Sequence, residues 1–144
     1  MTPQQLKKAL IQAGLEVYRT LGDEIVLADR PRENLILDSG VRVRTPLNGT
    51  FRLRLALRAE QSAFHGEGPD TLFDRARSLA GPAAAHGFSE LGTQVIPMKD
   101  PVDPEKTLDT LYEVVYTLDV KTLEEACDEA RFALGLEKSA GHGR

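Results

Sequence analysis

Apolar and polar residues alternate most strictly between Val41 and Glu60, VRVRTPLNGTFRLRLALRAE. Phe51, Leu53, Leu55, Leu57 and Ala59 share one parity, and Arg52, Arg54, Ala56 and Arg58 share the other. Successive strand side chains point to opposite faces, so this spacing predicts a strand with one apolar face and one lined by guanidinium groups. Val41–Thr45 alternates in the same way. Asn48-Gly49 between the two runs is the dipeptide that most favours positive φ in a tight hairpin. A sheet with one apolar face needs helices to cover it.

Helical spacing appears in three places. Thr2, Pro3 and Gln5 carry a capping box with proline in the first turn; Leu6, Ala9, Leu10 and Ala13 follow on one face, and Gly14 stops the helix. A second helix is expected with Asp70 as its cap and Leu72, Phe73, Ala76, Leu79 and Ala80 inward. Gly81-Pro82 interrupts it, which leaves a kinked helix or two short ones open. The third is marked by Thr122 and Glu125, a second capping box. Its inward stripe is Leu123, Ala126, Cys127, Ala130 and Leu134, and it stops at Gly135.

The remaining runs read as strands. Ile25–Ala28 is one, with Asp29 to Glu33 a proline-punctuated turn after it. Leu35–Leu37 is either a separate short strand or continuous with Val41–Thr45 through a bulge at Ser39-Gly40. Leu15 to Arg19 reads as helix or strand. Gly92–Met98 and Leu111–Val120 complete the set, the latter with Tyr112, Val114, Tyr116 and Leu118 on a covered face. Lys99 to Thr110 is a long connection for a hairpin. Glu137 to Arg144 reads as a frayed polar tail after a single domain of residues 1–136.

Composition adds limits. A chain of 144 residues can bury a sizeable core, and at 6% aromatic without tryptophan that core must be aliphatic. No apolar run reaches the roughly 20 residues of a membrane helix, and the first 21 residues do not resemble a signal peptide. The single cysteine, Cys127, excludes an internal disulfide and fits a reducing compartment. A cytoplasmic protein is expected, without membrane association. The net charge of −4 conceals a split, +3 over residues 1–60 and −7 over 61–144. A pI near 5.4 argues against the basic footprint of nucleic-acid binding.

Candidate chemistry is sparse. His65, His86 and His142 have no second ligand at metal spacing, and no cofactor or metal site is expected. Cys127 lies on an apolar helical stripe followed by acids that disfavour a thiolate. Asp100, Asp103, Glu105 and Asp109 lack the alternation and central glycine of an EF-hand. Gly66-Glu67-Gly68 is too short to cradle a phosphate, and Ser39, Ser62, Ser78 and Ser89 lack a nucleophile elbow. What remains is the arginine row Arg42, Arg44, Arg52, Arg54 and Arg58. It is either a solvated wall or a docking surface for an acidic polypeptide; the parity of Glu113 and Asp119 makes those acids candidate partners for it. Stacking aromatics, which an RNA-binding sheet would interleave, are missing.

Together the pattern predicts an α+β two-layer sandwich. An antiparallel sheet of about five strands carries helices on one face, in the order α-β-β-β-α-β-β-α. With LKKALIQAGLEVYR at the start, the FRLRLALRA strand, and TLYEVVYTLDV followed by TLEEACDEARFAL, the chain resembles the YbjN family and the related type III secretion chaperone fold. That resemblance implies a non-enzymatic, chaperone- or adaptor-like homodimer that holds a segment of another protein. Two other expectations stand beside it. One is a roadblock- or profilin-like regulatory dimer. The other is a small enzyme whose pocket would gather His65, Asp70 and Tyr112 or Tyr116.

Overall fold

A computed structural model describes residues 1–141. In chain order the elements are α1 (Pro3–Gln12), β1 (Val17–Leu21), β2 (Glu24–Arg32), β3 (Leu35–Leu47), β4 (Thr50–Glu60) and a 3-10 turn at Gln61–Ala63. They continue with α2 (Pro69–Ser78), α3 (Gly81–Ala85), β5 (Ser89–Lys99), β6 (Thr107–Val120), α4 (Leu123–Leu134) and β7 (Ser139–Ala140). The fold is α+β. One open sheet of seven strands runs β1-β2-β3-β4-β6-β5, with β7 paired to β4. The two strands beyond the expected five are β1, which resolves the ambiguity at Leu15 to Arg19, and β7. Two compact units divide the chain: residues 1–55 with 117–136, and residues 56–116 with those from Glu137 onward.

In the first unit α1 begins as the sequence predicts. Thr2 Oγ1 accepts the Gln5 amide at 3.2 Å, and Gln5 Oε1 accepts the Thr2 amide at 2.8 Å. Gly14, at φ +88°, turns the chain out of the helix. β1 and β2 form a hairpin closed at Leu21↔Glu24. β2 runs through Pro31, so the turn lies at Glu33-Asn34 between the paired Arg32 and Leu35, two residues later than the proline suggests. β3 is one strand with an irregularity. Val26 pairs with Arg42 and Ala28 with Asp38, so a two-residue step on β2 answers four residues on β3. Ser39 secures this bulge: its hydroxyl donates to Leu27 O at 2.7 Å and accepts the Val41 amide at 3.1 Å. Gly40 supplies the positive φ the bend requires.

The β3–β4 hairpin turns at Asn48 (φ +53°) and Gly49 (φ +76°). Val41↔Leu55 and Val43↔Leu53 are directly paired, and all four side chains are fully buried. The α1 residues Leu6 and Leu10 and the α4 residues Ala126, Ala130 and Ala133 complete this core. In α4, Thr122 Oγ1 accepts the Glu125 amide at 3.1 Å, but Glu125 takes the Thr122 hydroxyl rather than its amide, so this cap is half of the predicted box. Arg131 Nη2 donates to Ala13 O at 2.8 Å, tying α4 to the end of α1, where carbonyls are otherwise unsatisfied.

In the second unit, Leu57, Ala59, Leu72, Ala76, Ala83 and Val114 are fully buried. Phe73 meets Tyr112 edge-on at 5.4 Å between ring centroids. The helical region is split: α2 ends at Ser78 and α3 starts at Gly81 with Pro82 in its first turn. The α2 cap is Gly68, with Asp70 in the first turn making no capping bond; Pro69, with no N–H to satisfy, moves the helix start forward. β6 differs from its expected half-covered character, because every residue from Leu111 to Tyr116 is buried, Glu113 included. Ser139 and Ala140, expected in a frayed tail, pair parallel with Arg58 and Ala59.

Candidate functional site

The arginine row is a real structural feature, and the register shows how it is built. Arg42 lies directly opposite Arg54, and Arg44 opposite Arg52. Like charges facing one another across a ladder destabilise it. Two carboxylates relieve this. Arg52 forms a bidentate pair with Asp119, Nε–Oδ1 2.8 Å and Nη2–Oδ2 3.1 Å, and Arg42 reaches Glu24 at 3.4 Å. The hydrogen bonds from Arg52 hold the Asp119 carboxyl below the ordinary aspartate range against a smaller upward push from burial, and Arg44 adds to the lowering.

Glu24 lies directly opposite Arg44 in the register but bonds to Arg42, so among the described residues Arg44 and Arg54 form no ion pair. Arg44 makes only long bonds, 3.4 and 3.5 Å, to the carbonyls of Thr45 and Thr50. Arg54 has no hydrogen-bond or ion-pair partner among the described residues. All four guanidinium-bearing residues are half-buried. Val26 shares their face through its pairing with Arg42 and is fully buried. Four arginines against two carboxylates leave an excess of two positive charges on a rigid sheet.

Arg58 belongs to the second unit. Its amide donates to Lys138 O at 2.8 Å, and its Nε is buried without a hydrogen-bond partner among the described residues. The expected acidic partners divide in the same way: Asp119 pairs with the row, whereas Glu113 is buried and accepts from Gln94 Nε2 at 2.5 Å. Glu24 went unrecognised in the sequence because its place opposite Arg44, from which it reaches Arg42, depends on the β2–β3 register.

The other candidates scatter. His65 and Asp70 are exposed, whereas Tyr112 and Tyr116 are buried. Burial pushes the Tyr116 hydroxyl above its ordinary range, with Glu90 adding to the rise. Burial also pushes the Cys127 thiol up, against Arg131. Asp100 and Asp103 accept amides of their own loop, from Val102 at 2.9 Å and Glu105 at 3.3 Å, as polar turn residues do. Asp109 feels burial most, which raises it. Bonds from Ser62 and the Thr110 amide outweigh that and leave its carboxyl lowered. Among the described residues no group of three His, Cys, Asp or Glu side chains could hold a metal ion, and His142 lies outside them. Among the described residues no helix is long and apolar enough to cross a membrane. Two open grooves of about 420 and 410 Å³ run along α1, sharing Lys7 and Ile11, without convergent polar groups. Comparison with protein-family models, curated proteins and solved structures finds no match to this chain.

Proposed function

We propose that this chain is a non-enzymatic protein-binding module, chaperone- or adaptor-like and cytoplasmic, that holds an acidic segment of a partner polypeptide against the arginine face of β3 and β4. The observation that carries this reading is the charge imbalance: four arginines share this face with Glu24 and Asp119, which pair with Arg42 and Arg52, and among the described residues neither Arg44 nor Arg54 forms an ion pair. A partner carboxylate would supply what the fold leaves unmatched, and guanidinium groups suit bidentate carboxylate recognition. Half-burial favours the exchange, since the side chains are already partly ordered and desolvated. The two-layer arrangement with helices on one face, and the YbjN-like relationship, belong to the same proposal.

A fluorescently labelled peptide alternating Asp or Glu with Val tests it by anisotropy. Binding is expected to weaken about tenfold in an Arg44→Ser/Arg54→Ser double variant and to decline with added salt. Equal affinity of the double variant, or equal binding of a single-stranded RNA of the same charge, would overturn the reading.

A further inference from the structure

β5 ends the strand order, and among the described residues no strand pairs with its outer edge. None of its eleven residues is buried. Leu91 is 63% exposed, Val95 52% and Met98 47%. Unpaired N–H and C=O groups on so long an edge form a template for another strand, and such edges are usually kept short, charged or covered. β1, at the other end of the order, is short, carries Arg19, and has Lys7 and Lys8 along the grooves beside it. β5 has only Glu90 and Lys99, one of each sign, and Glu90 is already matched by Arg77 at 2.8 Å.

We propose that β5 is a self-association edge, on which the β5 strand of a second copy pairs antiparallel about a two-fold axis at Thr93. A two-fold axis normal to the sheet pairs residues of equal parity, so one residue must face itself. With Thr93 at the axis, Leu91 of each copy lies opposite Val95 of the other. The two most exposed large apolar side chains of the strand thereby close one apolar strip.

Pro97 fixes the choice of centre. Pro97 has no N–H to give to a ladder, so it is best tolerated at the end of one. A centre at Thr93 sets Pro97 opposite Ser89 of the second copy, at the end of the ladder, where one missing bond interrupts nothing. The near-neutral strand lets two identical copies approach. The arginine face would repel its own copy, so its occupant must be acidic, whereas the occupant of β5 can be the chain itself.

Sedimentation of the full chain from ~1 μM to ~0.1 mM tests this. The expected result is twice the monomer mass at the upper end. Val95→Lys and Leu91→Lys each alter an exposed side chain, so far-UV circular dichroism should stay unchanged while the mass halves. In a Cys127→Ser background, Thr93→Cys should cross-link the copies on mild oxidation, and Val102→Cys, on the exposed loop after β5, should not. A wild-type chain that stays monomeric throughout, a dimer unmoved by either lysine, or equal cross-linking at both positions would overturn the proposal. Arg44→Ser/Arg54→Ser should leave the mass unchanged, which separates this result from that of peptide binding.

Discussion

β4 and β5 are each eleven residues long, yet they are held in opposite ways. β4 buries Phe51, Leu53, Leu55, Leu57 and Ala59 on one parity, together with Ala56, and has strand neighbours along both edges. β5 buries nothing; its apolar residues fall on both parities, Leu91 and Val95 on one and Ile96 and Met98 on the other. A single apolar parity fixes register, because a slip of one residue would turn the whole set into water. β5 lacks that constraint and depends on its ladder with β6 and on cross-strand side-chain bonds such as that of Lys99 Nζ to Thr107 at 2.8 Å. Length and strand propensity do not tell a core strand from an interaction edge. The parity of its apolar residues does.

The sharpest test of that contrast is truncation in each strand. Leu53→Ala removes a fully buried side chain and should cost about 3 kcal/mol by urea denaturation, within the usual range for such cavities. Val95→Ala should change the stability of the monomer by less than about 0.5 kcal/mol. A comparable cost at both positions would break the comparison.

Acid should act next most strongly, on the surface pairs of both units. Hydrogen bonds from Arg77 hold the Glu90 carboxyl low, as those from Arg52 hold Asp119. A carboxylate lowered in the folded chain is protonated more readily in the unfolded one. Its stabilisation is therefore complete above the ordinary carboxylate range and is lost as pH falls through the depressed values. The urea midpoint should hold between pH 7 and about 5 and drop steadily below about 4.

Smaller effects belong to the arginine face. Asp119→Asn removes the partner of Arg52 in a pair that is nearly half exposed, and should cost less than about 1 kcal/mol. It should also tighten binding of the acidic peptide, since a third guanidinium is released. Arg54→Ser is the smallest change expected, within about 0.5 kcal/mol of wild type in stability, because no partner is lost. A large destabilisation there would mean that its stem, rather than its charge, holds the face closed.

The arginine row was legible from alternation, as were the first capping box, the Asn48-Gly49 turn, and the α4 stripe. These are local: each follows from residues a few positions apart. What went unseen depends on pairing. β1 was left open because the break at Gly14 and the lean of Val17 and Tyr18 towards strand are weak local signals until β2 lies beside the segment. The Ser39 bulge could be suspected, but its anchor is Leu27 O, twelve residues away. Pro31 was read as part of a turn, whereas β2 runs through it, since proline is tolerated where no ladder bond needs its N–H. β7 had no signal, since two residues without alternation become a strand only when an edge of β4 is offered.

The sequence by itself therefore determined which side chains β3 and β4 bury and which they expose, because strand geometry makes facing a matter of parity alone. It did not determine the electrostatic character of that exposed face. Whether five arginines form one positive surface depends on which carboxylates the register brings within about 3 Å of them. The fold matches Arg42 and Arg52 through Glu24 and Asp119, leaves Arg44 and Arg54 without an ion pair among the described residues, and assigns Arg58 to the other unit. Coulombic pairing is set by distances between residues 18 and 67 positions apart, and only tertiary structure sets those distances.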